Sequence, residues 1–305
     1  MSKFLITIVG PTAIGKTSLA IKLAKKYKTE VISADSRQFY RELNIGTAKP
    51  SNDELSSVKH HLINNISVTD KYDISHFESD ARKIIDNLFK TRDYVILVGG
   101  SGLYIDTILY GIDKIPNVEE SLREKLNQEF QNNGLKNLLA QLKKIDPVTY
   151  KNIDLSNHRR IIRALEVSIS SKKPYSSFLT NSSRQSNYNE IIIGLNCDRD
   201  KLHSLINKRV DKMIKCGLIE EVKTLKKFKN LNALNTIGYK EIFDYLNNQT
   251  SLEESVEKIK TNSRRYAKRQ LTYFNSNKEI KWFENQYEIK NIIKLIESRN
   301  ELLNN

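Results

Sequence analysis

A chain of 305 residues with 39% hydrophobic and 28% charged residues, 11 Gly and 5 Pro can bury a sizeable core, which excludes the disordered, collagen-like and low-complexity classes. Two cysteines, Cys197 and Cys216, are too few for a disulfide framework and lack metal-ligand spacing, so a reducing compartment fits and a zinc site is not expected. The net charge of +14 is uneven: residues 111–305 hold 35 Lys/Arg against 24 Asp/Glu, which suits nucleic acid or another polyanion, or else reflects the raised lysine content of an AT-rich genome.

The chain runs straight into an apolar stretch, Phe4–Val9, without a cleavable signal pattern, and no apolar run approaches the ~20 residues that span a bilayer. A soluble cytoplasmic protein with no membrane partner is expected. Gly10, Pro11, Thr12, Ala13, Ile14, Gly15, Lys16 and Thr17 follow that strand and precede a helical run with Leu19, Ala20, Leu23, Ala24 and Tyr27, the setting a phosphate-binding P-loop requires. Successive backbone N–H groups and the helix N-terminus would face a phosphate, Lys16 would add a point charge, and the Thr17 hydroxyl could ligate Mg²⁺. Taken alone, the motif points to ATP. Val31–Ser33 predicts a second strand, which places Asp35 and Ser36 at its carboxyl end, where open α/β sheets bind ligands. Asp35 there is either a general base or a turn-forming residue that needs only local backbone. Residues 45–50 read as a loop lining the same cleft, and His60-His61 as loop or packing. Phe77, Ala81, Ile84, Ile85 and Leu88 form one helical stripe facing a sheet.

Tyr94–Val98 predicts a further strand, yet it ends in Gly99-Gly100-Ser101-Gly102 and lacks the Asp that an NTPase uses to hold Mg²⁺. This is either a tight strand-to-helix turn or a second small-residue loop that brings a hydroxyl to the same ligand. From Gly111 to about Glu190 the strand signal vanishes and helical patterns dominate. Asp146-Pro147 reads as an N-cap with Pro at the first helical position, and Ser176 to Asn189 as a linker back to the core. Strands return at Ile191–Leu195 and Ile280–Phe283, with Trp282 in the core. The fold class expected is α/β, a P-loop NTPase-like parallel sheet core (1–112 and 190–305) with a helical insertion domain (113–189).

Arg209 lies on the apolar arc of a helix formed by Leu202, Leu205, Ile206, Val210 and Met213, so it needs an anionic partner, either a phosphate or an Asp/Glu of the fold. Residues 258–278 carry seven Lys/Arg and no acid. There Arg264, Arg265, Lys268 and Arg269 take one side of a helix, and Tyr266, Ala267, Leu271, Tyr273 and Phe274 the other. Arg159, Arg160 and Arg163 form a second cluster, with Ile161, Ile162 and Leu165 facing inward. Both clusters are either solvated faces or contacts for a phosphate backbone.

The motifs at 10–17, Asp-Ser-Arg-Gln at 35–38, Ile-Gly-Thr-Ala-Lys-Pro at 45–50 and Val-Gly-Gly-Ser-Gly-Leu-Tyr at 98–104 together resemble the bacterial tRNA dimethylallyltransferase (tRNA isopentenyltransferase) family. The series continues through Arg-Arg-Ile-Ile-Arg-Ala-Leu-Glu at 159–166, Ile-Gly-Tyr-Lys-Glu at 237–241 and Ala-Lys-Arg-Gln at 267–270. The resemblance implies that the P-loop grips the diphosphate of dimethylallyl diphosphate, with Mg²⁺ at Thr17. By the same pattern Asp35 is the general base for an adenosine amine beside the tRNA anticodon, Ser101 touches the bridging oxygen, and Lys16 and Arg209 clamp the leaving group. It also implies tRNA contacts at Asp35, Ser36, Arg37, Gln38, Ser101, Arg123, Arg159, Arg160, Ile161, Ile162 and Arg163. Further contacts are implied at Asn235, Thr236, Ile237, Gly238, Tyr239, Lys240, Lys268, Arg269 and Gln270, with the insertion around the anticodon stem-loop. Ser101 departs from the Thr that many relatives carry, which keeps the hydroxyl and loses a rotamer-restricting methyl. No C-terminal zinc finger is expected, and the protein is expected to act as a monomer. Rival readings are an isopentenyltransferase for free adenine nucleotides, a P-loop kinase and a non-catalytic RNA-binding protein.

Overall fold

The structure, a computed structural model, describes residues 2–179 and 187–304. Among these, six strands build one sheet: β1 (Phe4–Val9), β2 (Val31–Ser33), β3 (His60–His61), β4 (Tyr94–Val98), β5 (Asn189–Asn196) and β6 (Lys281–Glu284). All pair in parallel, in the order β3-β2-β4-β1-β5-β6. The central β1 is buried along its whole length, as its unbroken run of apolar and β-branched residues requires when helices cover both faces.

The first helices are α1 (Lys16–Lys26), α2 (Asn52–Ser57), α3 (Ile74–Leu88) and α4 (Gly102–Leu109), followed by α5 (Glu120–Asn133), α6 (Leu135–Ile145), α7 (Pro147–Asn152) and α8 (His158–Ser171). After β5 come α9 (Arg199–Lys215), α10 (Leu218–Thr224), α11 (Tyr239–Leu246), α12 (Leu252–Asn275) and, after β6, α13 (Ile289–Asn304). The chain divides into two compact units, Met1–Leu109 with Gln185–Asn305, and Tyr110–Arg184. The first unit holds the sheet. One apolar core packs Leu19, Ala20, Leu23 and Ala24 of α1 against Phe4, Ile6 and Ile8 of β1, and another joins Val210 of α9, Leu218 and Val222 of α10, Tyr239 and Ile242 of α11 and Ile259 of α12. The second unit closes over Leu126, Leu138, Leu142, Ile161, Ile162 and Leu165.

The structure departs from the sequence reading in several places. His60-His61 is a two-residue edge strand rather than loop: it pairs with β2, and His61 Nε2 meets Glu30 Oε2 at 2.5 Å. Trp282 is half-buried on the edge strand β6, over Gly194, where a Cβ would come within 2.5 Å of the indole. Tyr273 is exposed, since it lies across Gly102 with its hydroxyl donating to Asp106. Of the linker, residues 180–186 lie outside those described, Tyr175–Phe178 forms a 3-10 turn, and β5 already begins at Asn189. Asp146 caps α7 through the Thr149 N–H with Pro147 at the first position, as that dipeptide predicts, and it is also fully buried, accepting from Ser176 N–H and Oγ.

Candidate active site

The site grows from the carboxyl ends of β1, β2 and β4. At Gly10 the chain leaves β1 with φ +140°, and a Cβ there would lie 2.4 Å from the Leu195 carbonyl of β5, so only glycine fits. Ala13 (φ 66°) and Gly15 (φ 100°) then turn the loop into α1. That helix begins with no side-chain cap and no acid in its first turn, which leaves its first N–H groups and the positive end of its dipole open to an anion. Lys16 is folded over this loop, and Nζ donates to the carbonyls of Gly10 at 2.9 Å and Pro11 at 2.7 Å. Burial, reinforced by the Arg209 charge and opposed by Asp35, pulls its pKa down to about 7.

The chain end of β2 abuts the turn after β4: Ala34 donates to the Val98 carbonyl at 2.7 Å, and a Cβ on Gly99 would lie 2.3 Å from the Ala34 carbonyl. This packing sets the Asp35 turn beside Ser101, whose Oγ accepts from the Ser36 N–H at 3.3 Å and reaches Ser36 Oγ at 3.4 Å. A further hydrogen bond joins Ser101 to the Tyr266 hydroxyl, whose pKa burial and then Asp35 push up to about 12. Asp35 is divided between two jobs. Its Oδ1 accepts from the Arg37 N–H at 2.9 Å, the turn-forming role, while Oδ2 takes no hydrogen bond from the described residues.

Arg209, on α9, has no carboxylate within salt-bridge reach among the described residues. It donates to Thr12 Oγ1 at 3.2 Å and to the Thr47 carbonyl at 3.5 Å. Burial lowers its pKa, with the Asp35 charge as the main opposing influence. A half-buried guanidinium served only by neutral oxygens retains its capacity for an anion.

Two cavities meet here. One, about 760 Å³, is lined by Thr12 through Ser18, Gln38, Lys49, Gly99 and Gly100. The other, about 600 Å³, is lined by Ser36, Arg37, Asn235, Thr236, Ile237, Gly238, Lys240 and Arg269. Thr12, Ala13, Asp35, Arg209, Met213 and Tyr266 line both, so one wall carrying a carboxylate and a guanidinium separates and connects the chamber along loop 10–17 and a second, polar one. Two reactants held in the two chambers would meet at Asp35. No group of three His, Cys, Asp or Glu suited to a metal occurs among the described residues, so a cation here would depend on Thr17 and on ligand oxygens.

The description "IPP transferase" belongs to the family model that matches residues 38–277. A tRNA dimethylallyltransferase of Christiangramia forsetii is 50% identical over 98% of this chain and 99% of its own, and one of Flavobacterium johnsoniae is 47% identical over 96% and 97%. Among solved structures, the tRNA isopentenylpyrophosphate transferase of Bacillus halodurans is 37% identical with a TM-score of 0.71, covering 100% of this chain and 96% of that one. A eukaryotic dimethylallyltransferase acting on tRNA reaches a TM-score of 0.79 at 27% identity, over 93% of this chain and 74% of that one.

The chain belongs to the IPP transferase family.

Within this family member, the structure brings some of the residues singled out from the sequence together and not others. The loop 10–17, Asp35, Ser101 and Arg209 converge, and Arg37 ties them to the turn just before the 235–240 segment by donating to the carbonyls of Asn232 at 3.0 Å and Ala233 at 3.4 Å. Gln38 lines the phosphate-side chamber rather than the second one, because Ser33 and the carbonyls of Thr47 and Ala48 hold its amide. Arg159, Arg160 and Lys268 are exposed, and Lys268 lines neither chamber. The side chains of Ile161, Ile162, Tyr239 and Gln270 are buried, where they pack or bond internally. Arg123 and Arg163 both bond the buried Glu166, at 2.5 to 2.7 Å. The residue sequence reasoning missed is Glu221. Its carboxylate accepts from the N–H groups of Asn44, Ile45 and Gly46 and from the Tyr239 hydroxyl, and so holds the 44–50 loop against the chamber. No local signal marks it, since an acid in the first turn of a helix ordinarily serves only the helix dipole.

Proposed function

We propose that this protein transfers a dimethylallyl group from dimethylallyl diphosphate to the exocyclic amine of the adenosine immediately 3′ of the tRNA anticodon, releasing pyrophosphate. The observation that carries the reading is the shared wall: a single carboxylate, with one oxygen uncommitted, stands between a P-loop chamber and a polar chamber large enough for a nucleoside.

The diphosphate sits on the open N–H groups at the start of α1 and between Lys16 and Arg209. There the charge that builds as the allylic C–O bond breaks meets two cations in a partly water-excluded site. The donor set fits Mg²⁺: Thr17 lines the chamber in the first turn of α1, one hydroxyl is the usual protein share where phosphate and water oxygens supply the rest, and the ion when bound adds neutralisation of the leaving diphosphate. In the second chamber the adenosine, out of its stack, places its amine toward the open Oδ2 of Asp35. A purine amine is a poor nucleophile, so Asp35 accepts its proton as the C–N bond forms. The pyrophosphate then departs with the electron pair of the broken C–O bond. Ser101, tied to Ser36 and Tyr266, holds a hydroxyl for the bridging oxygen.

The acceptor surface is assigned to Ser36, Arg37, Asn235, Thr236, Ile237, Gly238, Lys240 and Arg269 around the second chamber, with Lys268. In the helical unit it is assigned to the exposed Arg159 and Arg160, with residues 113–189 as the domain for the anticodon stem-loop. The protein is proposed to act as a cytoplasmic monomer. Among the described residues no helix is long and apolar enough to cross a membrane.

The test is incubation with dimethylallyl diphosphate, Mg²⁺ and unmodified tRNA, followed by digestion. A prenylated adenosine is expected from tRNA and not from free adenosine monophosphate. No product from any tRNA with an adenosine 3′ of its anticodon sinks the assignment, and product from the nucleotide alone replaces tRNA by a free acceptor.

A further inference from the structure

We infer that Gln270 is a positioning residue that holds the diphosphate-binding loop in register with the turn after β4 and with Arg209. It rests on the reading of the P-loop chamber as the diphosphate site. Gln270 lies on α12, next to Arg269, and its side chain is 5% exposed, an unusual place for an amide unless both ends are bonded. Both are. Oε1 accepts from the Thr12 N–H at 2.8 Å, and Nε2 donates to the Gly100 carbonyl at 2.8 Å. The opposite amide orientation would set donor against donor and acceptor against acceptor, so the assignment follows from the two backbone partners.

The position of Thr12 makes this more than packing. Its N–H is held by Gln270 and its Oγ1 receives the Arg209 guanidinium, so one residue in the bend of the P-loop is fixed from two helices. On the other side, a Cβ on Gly100 would lie 2.2 Å from Gln270 Nε2 and 3.7 Å from Lys16 Nζ, so glycine at 100 leaves the space that the amide fills next to the lysine. Thus the P-loop, the Gly99-Gly100 turn and, through Thr12, Arg209 all reference one side chain of α12. The same helix places Arg269 and Tyr266 in the second chamber. Loss of the amide frees Thr12, and with it the guanidinium that Thr12 receives, while leaving the exposed face of α12 as it was.

The experiment titrates inorganic pyrophosphate with Mg²⁺ into wild type and into Gln270→Met, Gln270→Glu and Gln270→Asn, and measures tRNA binding and transfer kinetics on the same samples. Methionine keeps the length and loses both bonds. Glutamate keeps the acceptor, loses the donor and adds negative charge beside Lys16. Asparagine keeps both groups but falls a methylene short. Expected are about 10-fold weaker pyrophosphate binding for Met and Asn and a larger loss for Glu, a matching rise in KM for the allylic diphosphate, and tRNA affinity within about 3-fold of wild type. Far-ultraviolet circular dichroism and thermal unfolding report that each variant is folded; one that fails is set aside and the remaining two decide. Weaker tRNA binding with pyrophosphate affinity unchanged would overturn the inference and make Gln270 an RNA contact, and no change in either would make it packing alone. If wild type fails to bind pyrophosphate, the inference falls; if it binds with this dependence on Gln270 yet transfers nothing, the transferase reading fails and the inference stands.

Discussion

The two units handle their partly enclosed cationic groups in opposite ways. In the helical unit, Arg123 and Arg163 converge on one fully buried carboxylate, Glu166, whose own pKa burial pushes up and the two guanidinium hydrogen bonds more than bring back down. In the sheet unit, Lys16 and Arg209 are desolvated with only carbonyl and hydroxyl oxygens for company. The first arrangement is closed: its charges are spent on the fold. The second is open, because a cation held among neutral acceptors loses hydration without recovering a full ion pair, and an external anion supplies what is missing. The difference separates basic residues that hold the structure from those available to a substrate, which composition alone cannot do.

The sharpest way to break this comparison is at the wall between the chambers. Asp35→Ala is expected to lower single-turnover transfer by about 10³-fold or more while tRNA affinity measured by filter binding stays near wild type. Lost binding instead would make the Arg37 turn its main task. Next, Arg209→Met should cost about 10² to 10³-fold in kcat with little change in thermal unfolding, since no carboxylate is left unpaired. A large loss of stability would show that Arg209 is a fold cation like those around Glu166. The helical unit should behave in reverse: Glu166→Gln is expected to destabilise by about 2 kcal/mol, at the low end for a broken buried pair because both arginines are partly exposed. Urea unfolding checks this. Because the folded pKa of Glu166 is depressed, its contribution is present above the usual carboxylate range and is lost as pH falls through the folded value, so wild type and variant should converge in acid. The smallest effect concerns protons. With Lys16 near pKa 7, the folded protein carries fewer protons than the unfolded chain between pH 7 and the ordinary lysine range, and stability from this group rises with pH there. Diphosphate should restore its charge. Calorimetry at pH 8 in buffers of different ionisation enthalpy is expected to show proton uptake on pyrophosphate binding that Lys16→Met reduces; equal uptake in both would remove Lys16 from the contact.

Much of this was legible in the residues themselves. Loop 10–17 is specified locally: Gly10 and Gly15 supply the positive φ, the apolar run before them can only be a buried strand, and the helical stripe after them fixes the direction of the N–H groups. Asp35 was placed at a strand end by the same reasoning, though not which of its oxygens would be consumed by the backbone. Short-range pattern could not find β3, because two histidines carry no periodicity and pair only when β2 is already there. Nor could it separate Gln270 and Tyr239 from their exposed neighbours, since an amide or phenol reads as surface until a distant backbone or carboxylate takes its polar atom. The sequence by itself determined the glycine turn at 10–17 between a strand and a helix and the parallel α/β class, because each rests on local backbone geometry or periodicity. Only the tertiary structure decided which charges are free and which are spent, because pairing depends on contacts such as Thr12 with Gln270, 258 residues apart in the chain.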